Sequence, residues 1–62
     1  MACAVVTSVT QALYDYTAET EFELTIRAGE VLHAEKEEEG WYCGTNSDNQ
    51  YGRFPANYVE RV

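Results

Sequence analysis

No stretch of this 62-residue chain repeats apolar side chains at helical spacing over a useful length, and that absence narrows the fold more than any other feature. The chain offers instead short apolar runs, rich in β-branched and aromatic residues and separated by turn signals. "VTQALY" (9–14) reads as a first strand. The following "DYTAETEFELTIRAG" is too polar for one straight strand. Within it, however, Leu24 and Ile26 alternate with Glu23, Thr25 and Arg27, so its return arm should be half-buried. Gly29 punctuates a turn, and "EVLHAEK" (30–36) alternates again, with Leu32 and Ala34 inward and His33 and Glu35 outward. After "EEEG", "WYCGT" (41–45) is a third strand, and the turn cluster "NSDN" (46–49) joins it to "QYGRFP" as a hairpin. Beyond Pro55, "YVERV" closes the chain.

Five short strands with one long polar excursion predict an all-β domain. A chain this small buries only about 60% of its unfolded surface, and it avoids exposed sheet edges by curling. The expectation is a five-stranded small barrel of two packed orthogonal sheets, over residues 9–62, behind a flexible leader at 1–8. Gly44 and Gly52 fit such a barrel, which needs residues without bulk where strands bend or their backbones approach. Cys3 and Cys43 could close at most one disulfide; both read as reduced thiols of an intracellular, cytoplasmic protein. "MACAVVTS" is too short and lacks the basic flank of a signal segment, and nothing approaches the roughly 20 apolar residues of a membrane span.

Eleven acidic residues against four basic ones give a net charge of −7, which repels nucleic acid and favours a basic partner. Asp15, Glu19, Glu21 and Glu23 form one cluster, and Glu35, Glu37, Glu38 and Glu39 another. Either cluster alone would be explained by solubility.

Core packing is the default explanation for any single ring among Tyr14, Tyr16, Phe22, Trp41, Tyr42, Tyr51, Phe54 and Tyr58. Trp41 fits it poorly, because it follows three glutamates and a glycine and so emerges at a loop mouth, and its alternation partners Cys43 and Thr45 make no apolar face. The sole proline, Pro55, stands between Phe54 and Tyr58, where it must mark a strand edge or a break. Nothing suggests catalysis. The sole histidine, His33, has no nucleophile or carboxylate arranged around it, and Asn46, Asp48 and Asn49 carry too few carboxylates for a calcium loop. No phosphate cradle or zinc spacing occurs, so no metal or cofactor is expected.

Taken in order, "ALYDY" (12–16), "ELTIRAGE" (23–30), "GWYCG" (40–44) and "GRFPANYV" (52–59) resemble a Src-homology-3 domain over roughly residues 10–62. The resemblance implies a long irregular loop (15–27), a second loop (about 36–40), a distal hairpin (46–49) and a 3₁₀ turn at 56–58. It also implies a non-catalytic, monomeric interaction module that docks proline-rich segments in a polyproline II conformation, without nucleic acid and without membrane insertion. The matching groove positions are Tyr14, Tyr16, Trp41, Pro55, Asn57 and Tyr58.

The chemistry is consistent with that role. A polyproline II helix is already extended, so binding it costs little ordering entropy. Its ridges need aromatic slots, supplied by Tyr14 with Tyr58 and by Tyr16 with Trp41, Pro55 and Tyr58. Its carbonyls need donors, supplied by tyrosine hydroxyls, the Trp41 indole N–H and the Asn57 amide. In the family, a carboxylate at the position of Glu23 receives an Arg or Lys flanking the prolines. Glu19 and Glu21 would reinforce it, and Glu37, Glu38 and Glu39 would charge the opposite wall. The competing reading is another small barrel whose rings cage methylated lysine. Three positions depart from the family pattern. Thr10 stands where an inward apolar residue is usual, leaving the register, or a bulge that brings in Val9, open. Arg53 stands beside the groove where an apolar or aromatic residue is common. Phe22 is either tucked under the long loop or available to a ligand.

Overall fold

The computed structural model describes residues 4–62, with side chains from Thr7 onward; Met1, Ala2 and Cys3, and with them the start of the expected leader, lie outside the described residues. Among the described residues five strands form: β1 (Ala4–Ala12), β2 (Val31–Glu38), β3 (Trp41–Thr45), β4 (Tyr51–Pro55) and β5 (Val59–Arg61), with a 3₁₀ turn at Ala56–Tyr58. They pair antiparallel in one continuous sheet of order β4-β3-β2-β1-β5. Phe54 of β4 and Val59 of β5, from opposite ends of that order, join one core, so the sheet curls on itself like a barrel. Two register shifts assist the bend, one in β1 between Val5 and Ser8 and one in β2 between Ala34 and Lys36, because a bulge adds local twist.

The first strand starts earlier than its apolar pattern suggests. Ala4 and Val5 already pair with Glu37 and Lys36, inside the stretch expected to be a leader. The β-branched run Val5, Val6, Thr7 suits an extended backbone, and the β1 bulge carries it past the expected start. At its other end β1 stops at Ala12, and the Leu13 amide donates to the Tyr58 carbonyl at 2.7 Å. The second loop is also shorter than expected: β2 runs to Glu38, and only Glu39 and Gly40 turn the chain.

The core is Ala12, Leu24, Ile26, Leu32, Ala34, Tyr42, Phe54 and Val59. Fully burying residues such as Ile26, Leu32 and Phe54 contributes about 1.5–3 kcal/mol each. Thr10 settles the register question. It is fully buried and its Oγ1 donates to the Leu32 carbonyl at 3.1 Å, while Val9 faces outward. A hydroxyl thus takes the inward position, tolerated because it is satisfied. Gly44 is required by contact, since a Cβ there would strike the His33 carbonyl where β2 and β3 approach beside the bulge.

The long loop protects the outer edge of β4. The Arg53 amide donates to the Phe22 carbonyl at 2.9 Å and the Leu24 amide donates to the Arg53 carbonyl at 2.8 Å. An edge that would otherwise offer unpaired backbone groups is therefore covered by the chain itself. Tyr16 and Ile26 pair across the base of the same loop through bonds of 2.9 and 2.8 Å, which holds it as a flattened hairpin.

Candidate functional site

One aromatic strip gathers four rings from three segments. Tyr14 and Tyr16 leave β1 into the long loop, Trp41 opens β3, and Tyr58 ends the 3₁₀ turn. Three edge-to-face contacts link them in the order Tyr14, Tyr58, Tyr16, Trp41, with centroids 5.6, 5.7 and 6.0 Å apart and planes at 79°, 84° and 75°. Such pairs contribute about 0.5–1.5 kcal/mol beyond area burial, so the rings brace one another along the row. Tyr14 is 58% exposed, while Tyr16, Trp41 and Tyr58 are half-buried and Asn57 is exposed on the turn. Backbone bonds fix the spacing: Leu13 to Tyr58 at one end, and the Ala56 amide to the Gly40 carbonyl at 2.8 Å at the other. Among the described rings the contacts run as an open row and do not close into the box that a methyl-lysine cage requires.

Of the expected groove residues, Pro55 is the one whose setting differs. It is buried, and it pairs across the ladder with Trp41. As the last residue of β4 and the N-cap of the 3₁₀ turn, at φ −66°, it ends the strand beside the indole with its own ring buried.

The acidic residues divide. The Tyr16 hydroxyl donates to Glu23 Oε1 at 2.5 Å, and the Glu19 amide donates to the same oxygen at 3.0 Å. The Tyr16 bond, then the Glu19 amide, hold the Glu23 carboxyl below its usual value. The same carboxylate, with desolvation, pushes the Tyr16 phenol up to about 12. Glu23 therefore shapes the long loop as well as charging it. Glu19 and Glu21 are exposed on that loop. On the other hairpin, Glu38 pairs with Trp41 and so shares its face, and Glu39 is at the turn. Glu37 pairs with Tyr42 and faces with that ring, away from the expected wall. Asp15, grouped by sequence with the loop carboxylates, accepts from the Ala28 amide at 2.7 Å and acts as a loop staple.

Two further residues resolve. Phe22 is 68% exposed, available rather than tucked. Arg53 lays its guanidinium over the Trp41 ring, with Cζ 5.3 Å from the centroid. That contact was not anticipated, although the register carries its signal. Arg53 pairs with Cys43, and Trp41 lies two residues from Cys43 on the same face, which makes Arg53 and Trp41 diagonal neighbours. Two surface depressions, one lined by Arg27, Glu30, Ser47 and neighbours and one by Thr7, Val9, His33 and neighbours, lie off the aromatic strip.

Known proteins resemble this chain in sequence and fold. The family model described as "Variant SH3 domain" matches residues 12–60. An SH3 and F-BAR domain-containing protein of Dictyostelium discoideum is 50% identical over 52 residues, covering 84% of this chain and 10% of its own length. Human sorbin and SH3 domain-containing protein 2 is 44% identical over 54 residues, covering 84% of this chain and 5% of its own length. The chain thus spans a tenth or less of these two relatives. Among solved structures, the C-terminal SH3 domain of myosin IB from Entamoeba histolytica, bound to EhFP10(GEF) peptide, superposes with a TM-score of 0.85 at 33% identity, covering 92% of this chain and 95% of that one. The yeast Nbp2p SH3 domain in complex with a peptide from Ste20p gives a TM-score of 0.85 at 26% identity, covering 95% of this chain and 91% of that one.

Proposed function

This chain belongs to the Src-homology-3 family of protein-interaction modules, and from that premise we propose that its aromatic strip docks proline-rich segments in the polyproline II conformation. The observation that carries this reading is the row Tyr14, Tyr58, Tyr16, Trp41, with Asn57 exposed beside it. Gaps between edge-to-face rings accept the ridges of a three-residue-per-turn helix. The Tyr14 hydroxyl, the Trp41 indole N–H and the Asn57 amide serve its carbonyls. Pro55 lies directly across the ladder from Trp41 and on the same face. The peptide complexes of the myosin IB and Nbp2p domains support a peptide as the occupant.

Arg or Lys flanking the prolines is received by Glu23, Glu19 and Glu21 on the long loop and by Glu38 and Glu39 beside Trp41. These exposed pairs contribute about 0.2–1 kcal/mol each, so they set orientation and association rate more than affinity. A contact this small gives a quickly exchanging complex of roughly micromolar strength. The module acts without catalysis, in cytoplasmic signalling, cytoskeletal or endocytic assembly, a setting suggested by the F-BAR and sorbin names of its relatives.

Titration of an Arg-ended proline-rich peptide against Trp41→Ala tests the groove. Removing an anchor of this kind weakens binding by roughly 30-fold or more, while the half-buried position leaves the thermal midpoint within a few degrees. Undiminished binding by a folded variant refutes the assignment, and saturable binding of a methyl-lysine peptide in place of the proline peptide replaces it.

A further inference from the structure

Arg53 occupies the place where a ligand's flanking cation would be received. Its backbone is pinned on both sides by the long loop, through the Phe22 carbonyl and the Leu24 amide, which fixes the root of the side chain beside Trp41 and leaves the guanidinium itself unpinned. Glu23 pairs with it in an isolated backbone β-bridge, its carboxylate feels the Arg53 charge, and the guanidinium lies over Trp41. A planar, weakly hydrated cation on an indole beside a carboxylate is the chemistry by which the groove would receive an incoming Arg.

We infer that Arg53 is the groove's own competitor for the flanking cation: it covers part of the accessible Trp41 ring beside Glu23, so an Arg-ended peptide must displace it or share the ring with a like charge. The inference rests on the proline-peptide reading of the strip and adds to it a determinant of specificity. Because Arg53 is exposed, displacing it into water costs little, and it tunes the site without closing it. The carboxylates nearby would suggest a strong preference for Arg-ended over neutral proline peptides; Arg53 narrows that preference.

Arg53→Gln removes the cation and leaves the backbone bonds of the residue in place. The Arg-ended peptide should bind the variant about two- to fivefold more tightly, the factor equivalent to about 0.5–1 kcal/mol of exposed ring–cation attraction, while a neutral proline peptide changes by less than about 1.5-fold. Arg53→Lys should keep the narrowed preference. Trp41 is the only tryptophan, so its emission reports directly whether the stack is lost. An equal change for both peptides, or a loss for the Arg-ended one, would show that Arg53 merely supports the indole and overturns the inference. So does unchanged binding accompanied by a shift in Trp41 emission. If the unmodified domain binds neither peptide, the groove reading itself fails and takes this inference with it.

Discussion

At one end of β3 the chain turns through Glu39 and Gly40; at the other it turns through Asn46 to Gln50, and the two turns use their polar atoms in opposite ways. In the distal turn Asn46 is buried. Its Oδ1 accepts from the Asp48 and Gln50 amides at 2.9 Å each, and its Nδ2 donates to Gln50 Oε1 at 3.0 Å. Glu30 reaches across from the base of the long loop, accepting from the Ser47 hydroxyl at 2.9 Å and from the Arg27 amide at 3.1 Å. The Asn46 amide and the Ser47 hydroxyl there are taken up by the fold. In the Glu39–Gly40 turn the link to the rest of the protein is backbone only, through the Gly40 carbonyl, and among the described residues the Glu38 and Glu39 carboxylates make no protein hydrogen bond. Two hairpin turns on one strand thus divide the work. One locks the sheet and the other presents charge beside Trp41.

The sharpest break of that contrast is Asn46→Ala. Three side-chain hydrogen bonds disappear, each with a net worth of about 0.5–1.5 kcal/mol, so a loss of about 2–4 kcal/mol is expected. For a domain of this size that lowers the thermal midpoint by roughly 10–25 °C. Peptide affinity, measured well below the new midpoint, should be unchanged. A variant that loses affinity as steeply as stability would show that the two ends of β3 are coupled and the division of work is false.

The same contrast explains which parts of the molecule were legible in the sequence. Strand β3 and the 3₁₀ turn lie at their expected residues, because "EEEG", "NSDN" and Pro55 are strong local punctuation. The aromatic row follows from rings placed at the ends of strands, a pattern carried in chain order. What chain order does not carry is cross-strand register. The burial of Pro55, the stack of Arg53 on Trp41, the turning of Glu37 away from the groove and the pairing of Ala4 with Glu37 all depend on which residue lies opposite which. Asp15 was misgrouped for a similar reason, since its partner amide at Ala28 is thirteen residues away. Thr10 shows the complementary limit: a buried hydroxyl looks like an error in an apolar pattern until the carbonyl that satisfies it is located.

A smaller effect, opposite in sign, is expected at the other turn. Glu39 has φ 52° and Gly40 φ 88°, the left-handed pair for which Asn-Gly is the preferred sequence of a two-residue hairpin. A non-glycine residue there is strained by about 1 kcal/mol, less for Asn than for Glu. Glu39→Asn should therefore raise stability by about 0.5 kcal/mol, while association with Arg-ended peptides slows and affinity falls less than about fivefold. A destabilised variant, or one that loses neutral peptides equally, would remove the assigned role of this carboxylate.

The smallest effect concerns the one polar pair at the groove end that behaves like the distal turn. Tyr16 and Glu23 hydrogen-bond each other, the carboxyl held below its ordinary 4.5 and the phenol raised from 10.0 to about 12. For Glu23 the charged form is favoured on folding, so its contribution is complete above pH 4.5 and fades as pH falls through the lowered folded value. For Tyr16 the protonated form is favoured, so its contribution is complete below pH 10.0 and fades as pH rises toward about 12. Between those limits the pair adds no slope. Tyr16→Phe deletes the shared proton and should flatten both limbs at once, so the difference in urea midpoint between the two proteins shrinks toward pH 3 and again toward pH 12. Both groups face water, so the whole effect is slight. A difference that stays constant across that range would mean the hydroxyl is idle, and the groove end would then hold no locked polar pair at all.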